Sequence, residues 1–302
     1  MQTFQSFALP IVFWFIRLLP VRFAGALGAG FGWLLFYLLK RHRRITISNF
    51  TRIYPEKSRN WRRNMARASF MELGRTTFEL PHVFLRSKSF LLSRIQIEGE
   101  ALLKESLTQH DGAFIVAAHH SNWELEALAF SMLGYGSTTI YHPMRNKVLD
   151  AWIMQCRTRF GAEMQSRQEG LRWLPRALKR GHLIGVMVDQ HMSQGIQVPF
   201  MGHMANTTTL PASFIQRKPT PVFGIVLDRI GVGFHFTLRI WRIETPPLTA
   251  SKSSNTYHIM QTIGDSFAPI IHARPELWLW LHRRWYILEQ EEAVAKVVHG
   301  TP

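Results

Sequence analysis

The chain has few acidic residues and almost no cysteine. None of the first 55 of its 302 residues is aspartate or glutamate, and Cys156 is the single cysteine. One cysteine excludes an intramolecular disulfide and a cysteine-based metal cluster, and it fits a reducing, cytosol-facing protein. Charged residues amount to 19% and hydrophobic residues to 46%, a mixture that excludes intrinsic disorder and suffices for a sizeable core.

Basic residues outnumber the acids. Lysine and arginine total 36 against 20 aspartate and glutamate, a net charge of +16, which predicts a polyanionic partner. Nucleic acid, an anionic membrane surface and an acidic carrier protein all qualify. The sequence has no helix-turn-helix, RNP, KH or zinc-finger signature, and seven basic residues lie beside apolar segments in the acid-free N-terminus. We therefore predict a membrane and a carrier protein as partners, and no nucleic acid.

Two apolar segments occupy the N-terminus. Residues 7–16 and 23–39 are free of charged residues, and the basic cluster at residues 40–44 follows them. A membrane-spanning helix needs about 20 apolar residues, so the second segment predicts either a short spanning anchor or an apolar hairpin lying in one leaflet. A buried helix pair of a soluble protein is the alternative. A cleaved signal peptide is disfavoured, because the sequence lacks a basic start and a small-residue cleavage pattern.

The basic cluster also predicts orientation. Under the positive-inside rule it places the chain that follows it in the cytoplasm. Within the second apolar segment, Gly25, Gly28, Gly30 and Gly32 resemble part of a dinucleotide-binding loop, but no strand precedes them. Close helix packing is the better interpretation.

The remainder of the chain alternates predicted strands and helices. Short doubly apolar segments such as residues 113–118 are typical of buried parallel strands. This alternation predicts an α/β fold with a mixed, mostly parallel sheet flanked by helices. We expect two parts, an apolar helical membrane anchor at residues 1–44 and a single catalytic domain at 45–302. The predicted strands are 113–118, 137–141, 183–188, 221–227 and 233–243, and the long helices are 57–80 and 254–272.

The strongest candidate site follows the first of these strands. His119 and Glu124 have an H-x4-E spacing there, and ligands of open α/β sheets bind beyond the carboxyl ends of strands. Five residues on one helix are about 140° apart, so the two side chains meet only if His119 precedes the helix and Glu124 lies in its first turn. A carboxylate that holds one imidazole nitrogen leaves the other free to take a proton from a hydroxyl.

Two alternatives compete with catalysis at this spacing. Ser121 and Glu124 form a capping box, which satisfies the first amides of a helix. A zinc site is the weaker alternative, because H-E-x-x-H is absent and adjacent histidines point in different directions. We predict no metal and no cofactor.

Residues 119–124 lie in the context A-H-x-x-N-W-E, which resembles the late lipid A biosynthesis acyltransferases of the lysophospholipid acyltransferase superfamily. Six further segments match this family in the same order over residues 48–285. They are Ser48-Asn49-Phe50 with Tyr54-Pro55; Tyr141-x-Pro143-x-x-Asn146-x-x-Leu149-Asp150; Arg157-x-Arg159-Phe160-Gly161; Lys179-Arg180-Gly181 with Asp189-Gln190; Val198-Pro199-Phe200-x-Gly202 with residues 207–209; and Pro275-Glu276-x-Trp278-x-Trp280-x-His282-x-Arg284-Trp285.

The resemblance implies acyl transfer from a thioester to a hydroxyl of a glycolipid such as a lipid A precursor. His119 would be the general base and Glu124 its orienting partner. Helix N-terminal amides after Ser121, or Arg159, would stabilise the oxyanion. Asn122 and Tyr141 lie in matching segments, and we expect them to bind substrate with Arg159 and Asp189. Asp189 has an equally good alternative, as the cap of a turn.

The resemblance also implies a bacterial inner-membrane location, with the catalytic domain on the cytoplasmic side. The donor would be acyl carrier protein or acyl-CoA, and the basic surface favours the carrier protein. The positions expected for Trp278, Trp280 and Trp285 are either the membrane interface or the core. His142 stands where the family often has arginine, and His120 and Ser121 stand where an aromatic residue and a glycine are frequent. Residues expected to dock anionic headgroups or carrier are Arg41, Arg43, Arg44, Arg62, Arg63, Arg283 and Arg284.

Overall fold

Four helices form the N-terminal part of the chain. The computed structural model describes residues 2–286 and residue 290, with the backbone alone for residues 2–9; the last part of the predicted 45–302 domain therefore lies outside the described residues. The predicted division after residue 44 falls inside the third helix, a basic helix that the sequence analysis did not predict. The helices are α1 (Gln2–Leu18), α2 (Val21–Leu38), α3 (Lys40–Ile53) and α4 (Arg59–Leu85).

Glycines bring α2 into close contact with α4. A Cβ atom added at Gly28 would lie 2.3 Å from the Gly74 carbonyl oxygen, and one at Gly32 would lie 2.1 Å from that of Phe70. A Cβ at Gly30 would meet nothing within 4 Å, because this glycine faces away from α4. The structure thus confirms the helix-packing prediction for Gly28 and Gly32, but not for Gly30.

The opposite face of α2 is apolar and exposed. Within the described residues, Val21–Leu38 is the one helix that is long and apolar enough to cross a membrane by length and composition. Large exposed apolar side chains on α1 and α2 include Ile11, Trp14, Phe15, Phe23, Phe31, Trp33 and Leu38. This exposed surface is consistent with association of the N-terminal helices with a membrane.

A seven-stranded mixed sheet forms the centre of the molecule, in the order β1-β9-β8-β2-β5-β3-β4. All neighbouring strands are parallel except β8 and β9, which confirms the predicted fold class. The strands are β1 (Ile95–Glu98), β2 (Ala113–Ser121), β3 (Ser137–Tyr141), β4 (Glu163–Ser166), β5 (Leu183–Met187), β8 (Val222–Arg229) and β9 (Phe236–Ile243); β6 (Ile196–Phe200) and β7 (His203–Thr207) form a separate hairpin.

Helices cover both faces of this sheet. Along β2, Ile115 and Ala117 pack into one hydrophobic cluster, while Phe114 and Val116 pack into the other. This alternation is what a strand buried on both faces requires. The remaining helices are α5 (Lys88–Leu92), α6 (Glu100–Gln109), α7 (Trp123–Leu133), α8 (Lys147–Thr158), α9 (Leu174–Lys179), α10 (Leu210–Ile215) and α11 (Lys252–Ala273).

The C-terminal aromatic residues belong to the core. Trp278, Trp280 and Trp285 are at most 1% exposed, so of the two predicted positions the core is confirmed and the membrane interface is excluded. Arg284 is also fully buried, where it donates to Thr207 Oγ1 at 2.6 Å. Its guanidinium therefore connects the segment around residue 284 to the β6–β7 hairpin and is not available to dock a headgroup.

Candidate active site

Three parallel strands end at the same edge of the sheet, and the site lies there. The central strand β2 has β8 on one side and β5 on the other, and its pairing with β8 shifts register between Ala117 and Ser121. Such an irregularity redirects side chains at a strand end. Ser121 has φ +50°, a left-handed conformation that is unusual for a residue other than glycine. His119 lies within this distorted segment.

Asp189, at the end of β5, holds His119 at two points. Its Oδ1 lies 2.8 Å from the imidazole Nδ1, and its Oδ2 accepts from the His119 backbone N–H at 2.7 Å. The indole Nε1 of Trp278 donates to Oδ2 at 2.8 Å. The carboxylate is completely buried, whereas 16% of the His119 side chain is exposed. The Nδ1 edge of the imidazole is therefore fixed by Asp189, while part of the ring reaches solvent.

The charge of Asp189 is stabilised in spite of its burial. Desolvation alone would raise the pKa of this carboxyl, but the fields of His119 and His282 and the hydrogen bonds from His119 hold the pKa well below its ordinary value. Asp189 is therefore an anion at neutral pH.

The hydrogen bonds of His119 define its tautomer. The Asp189 carboxylate can only accept, so in the neutral ring Nδ1, 2.8 Å from Oδ1, carries the proton and donates to Asp189. Nε2 is then the acceptor nitrogen, and it lies 3.2 Å from the side-chain amide of Gln190. This arrangement leaves a lone pair on the exposed nitrogen, as a general base requires.

The structure differs from the sequence analysis on the partner of His119. The Glu124 carboxylate forms a bidentate ion pair with Arg157, with distances of 2.5 and 2.8 Å. The first turn of α7 directs Glu124 toward α8, away from the position that Asp189 occupies. Burial would lower the pKa of Arg157, but hydrogen bonding and attraction to Glu124, Asp150 and Tyr141 raise it overall. Tyr141 and Glu124 are therefore grouped around Arg157.

Arg159 and Asn122 both bond to backbone groups at the ends of helices. Arg159 donates to the backbone carbonyls of Phe84 and Arg86 at the end of α4, so its guanidinium serves those carbonyls in place of the expected oxyanion. Asn122 is buried and is the N-cap of α7, with Oδ1 accepting from the Leu125 N–H at 3.2 Å. Because Asn122 caps the helix, the capping-box interpretation of Ser121 and Glu124 is wrong.

A buried ionic network, which the sequence analysis missed, supports this turn. Arg229, at the end of β8, binds Glu72 at 2.6 Å and Glu79 at 2.8 Å. Glu79 accepts from Asn122 at 3.1 Å, and Glu72 accepts from the Ser121 hydroxyl at 3.3 Å. The two glutamates lie seven residues apart on one face of α4. This spacing is the sequence pattern from which the network could have been predicted. The network connects α4 to the turn that follows His119.

An apolar cavity opens beside His119, between α7 and the sheet. Its volume is about 40 Å³, and Trp123, which borders it, contacts the His119 ring edge-on with centroids 5.4 Å apart. The cavity is lined from Ala117 and Met187, which pair across β2 and β5, down to Leu183, four residues away along β5, a distance of about 13 Å. The apolar lining suits part of a hydrocarbon chain.

Known proteins identify the class of this site. Residues 1–286 match the model of the bacterial lipid A biosynthesis acyltransferase family. Over 279 residues the chain is 26% identical to the lipid A biosynthesis lauroyltransferase of Escherichia coli (strain K12), covering 91% of this chain and 89% of that one. It is 23% identical over 277 residues to the palmitoleoyltransferase of the same organism, with coverage of 91% and 88%.

A third relative is the lipid A biosynthesis myristoyltransferase of Escherichia coli (strain K12), 20% identical over 273 residues that cover 88% of this chain and 82% of that one. The family match spans the N-terminal helices, the sheet and the C-terminal tryptophans. The chain belongs to the bacterial lipid A biosynthesis acyltransferase family. Among the described residues, no group of three or more histidine, cysteine, aspartate or glutamate side chains is arranged to hold a metal ion.

Proposed function

We propose that the protein transfers an acyl chain from an acyl thioester to a hydroxyl of a lipid A precursor, with His119 as general base. The observation that carries this proposal is the His119 imidazole, which Asp189 holds at Nδ1 and which contacts Trp123 in the wall of an apolar cavity. The family match supports the reaction class. A non-catalytic scaffold would have no use for this oriented, partly exposed imidazole.

The reaction then has two proton transfers. Nε2 takes the proton of the acceptor hydroxyl, and the oxygen attacks the thioester carbonyl to form a tetrahedral intermediate. When the intermediate collapses, the C–S bond breaks and the imidazolium returns the proton to the departing thiolate. Asp189 stays ionised throughout and stabilises the transient imidazolium.

The start of α7 is our candidate for stabilising the oxyanion. Asn122 already satisfies the backbone amides of Leu125 and Glu126, through its carbonyl at 3.1 Å in both cases. The first two amides of the helix, those of Trp123 and Glu124, have no intrahelical acceptor by the geometry of a helix start. The Trp123 side chain contacts the His119 ring, so this helix start is close to the proposed base, and the helix dipole adds a positive potential there.

Glu124 then acts through Arg157. Its carboxylate fixes the guanidinium beside Tyr141, and we propose that this cation binds an anionic group of the donor or acceptor. Removal of Glu124 would release Arg157 and weaken substrate binding. Loss of Asp189 would disable His119 itself, so the two carboxylates are separable by kinetics.

We propose that the N-terminal helices hold the site at the membrane. Gly28 and Gly32 allow one face of α2 to pack closely on α4. Helix α4 in turn binds the sheet through the ion pairs of Glu72 and Glu79 with Arg229. We propose that α1 and α2 lie in the cytoplasmic leaflet of the inner membrane as a hairpin, because a spanning α2 would draw α4 into the bilayer with it.

Transfer assays with the purified full chain in lipid vesicles test the proposal. We expect acyl-carrier-protein thioester to acylate a lipid A precursor, and His119→Ala to reduce transfer by at least about 10²-fold while thermal unfolding stays unchanged. Acyl-CoA serves as the alternative donor in a parallel reaction. Full transfer by a folded His119→Ala variant would contradict the role of His119, and no transfer from either donor would contradict the function.

A further inference from the structure

The cavity beside His119 contains a carboxyl group that the proposed reaction does not use. Glu126 is 2% exposed and lines the cavity from α7, among residues that are mostly apolar. Its Oε2 has no hydrogen-bond partner in the described part of the chain, although the Leu227 backbone amide bonds the same carboxyl. A buried polar atom without a partner is unfavourable unless a bound group satisfies it.

Glu126 lies toward the end of the cavity that is nearer to His119. Trp123, Glu126, Ala127 and Phe130 are spaced i, i+3, i+4 and i+7, so they share the face of α7 that covers the sheet. Glu126 is three residues beyond Trp123, roughly 4.5 Å further along the helix axis. Since Trp123 contacts His119, the part of an acyl chain beside Glu126 would be the part close to the reacting carbonyl.

The environment of Glu126 favours its neutral form. Burial raises the pKa of this carboxyl well above its ordinary value, and the Asp189 and Asp228 carboxylates raise it further against the opposing Leu227 hydrogen bond. A neutral carboxylic acid donates one hydrogen bond and accepts others. A hydroxyl group can therefore pair with Oε2, whereas a methylene group cannot.

A second oxygen without a partner lies at the far end of the same cavity. Ser137 Oγ is buried where β3 begins, and Ser137 pairs in register with Leu183. Leu183 is four residues along β5 from Met187, which lies at the end of the cavity nearer to His119, so the two positions are about 13 Å apart. Ser137 is therefore too deep to contact the same atoms as Glu126, and it provides a matched control from the same cavity.

Resting on the acyl-transfer function proposed above, we propose that Glu126 binds a hydroxyl group that the acyl chain carries close to its carbonyl. The preferred donor is then a hydroxyacyl thioester. An unsubstituted chain would cover Oε2 with methylene groups and leave it unpaired. Sites built to hydrogen-bond a substrate hydroxyl discriminate strongly against analogues that lack it.

The test is a competition between donors of equal chain length, with 2-hydroxyacyl, 3-hydroxyacyl and unsubstituted acyl-carrier-protein thioesters present together. Mass spectrometry of the product measures the ratio of kcat/KM values. We expect one hydroxyacyl donor to be favoured by about tenfold or more in the wild type. Glu126→Leu should abolish the preference, while Glu126→Gln, whose amide donates and accepts, and Ser137→Ala should keep it.

Equal or better use of the unsubstituted donor by the wild type would overturn the inference, as would a preference unchanged in Glu126→Leu. A binding measurement separates this outcome from failure of the transfer proposal. We expect His119→Ala protein to bind a hydroxy fatty acid about tenfold more tightly than the unsubstituted acid of equal length by calorimetry. If that preference is present without any transfer, the transfer proposal fails and the inference stands; equal binding refutes the inference.

Discussion

Replacement of Asp189 by asparagine would disable His119 without emptying its site. Asp189 accepts two hydrogen bonds at Oδ2, from the His119 backbone N–H at 2.7 Å and from Trp278 Nε1 at 2.8 Å. An asparagine keeps those two bonds only by placing its carbonyl oxygen there. Its NH2 group then faces Nδ1 of His119, which must become the acceptor, so the proton moves to Nε2.

The wrong tautomer removes the general base. Loss of a positioned base costs about 10²–10⁴-fold in rate, and a comparable acid-to-amide change behind a catalytic histidine costs about 10⁴-fold in kcat. We therefore expect Asp189→Asn to lower kcat by about 10³-fold, equivalent to ~4 kcal/mol of transition-state stabilisation, with KM within about threefold of the wild type. Initial rates of acyl transfer to a lipid A precursor measure both constants.

Asp228 provides a matched control. It accepts from Nε2 of His120 at 2.7 Å, one residue along the chain from His119, and this pair is buried. Asp228→Asn should reduce stability and leave kcat within about tenfold of the wild type. The reasoning would be refuted if Asp189→Asn kept near wild-type kcat while Glu124→Gln lost 10²-fold or more, because Glu124 would then be the group that orients His119.

Three further predictions concern packing and titration. Gly28→Ala should release α2 from α4 and lower the melting temperature and membrane binding, whereas Gly30→Ala should leave both unchanged or slightly improved, since its site is open. Arg159→Ala should lower the free energy of unfolding by about 1–3 kcal/mol, because two hydrogen bonds to backbone carbonyls are lost, and kcat should stay within about threefold of the wild type. A large loss of kcat in a folded variant would instead support a role for Arg159 at the oxyanion. Glu126→Gln should remove a decline of stability with rising pH. Because the pKa of Glu126 is raised in the folded state, the native state binds more protons than the unfolded state above pH 4.5, and each pH unit in this range costs about 1.4 kcal/mol of stability. If the melting temperatures of wild type and variant change with pH in the same way from pH 5 to 8, this prediction is wrong.

Local patterns predicted the position of His119 but not its partner. The buried strand and the helix after it placed His119 at the carboxyl end of a parallel strand, and the structure confirms this position. The H-x4-E spacing then favoured Glu124. The actual partner, Asp189, follows another strand 70 residues away, and only the pairing of β2 with β5 brings it near.

Elements whose residues are polar by sequence were also missed. Helix α3 is strongly basic, yet its Asn49 donates to the Trp280 and His282 carbonyls and its Phe50 stacks on Trp280 with centroids 4.1 Å apart. Strands β1 and β4 are four residues each, too short for a clear alternation. These elements form because of tertiary contacts, which no window of sequence displays.

The most direct test of the central claim is the mass of lipid A from cells that lack this chain and carry either the wild-type or the His119→Ala protein. We predict that the wild-type protein adds the mass of one acyl chain to the precursor and that the variant, expressed at equal level in the membrane fraction, adds none. An identical mass increase with both proteins would contradict general-base catalysis by His119. An unchanged lipid A with both would contradict acyl transfer to this acceptor.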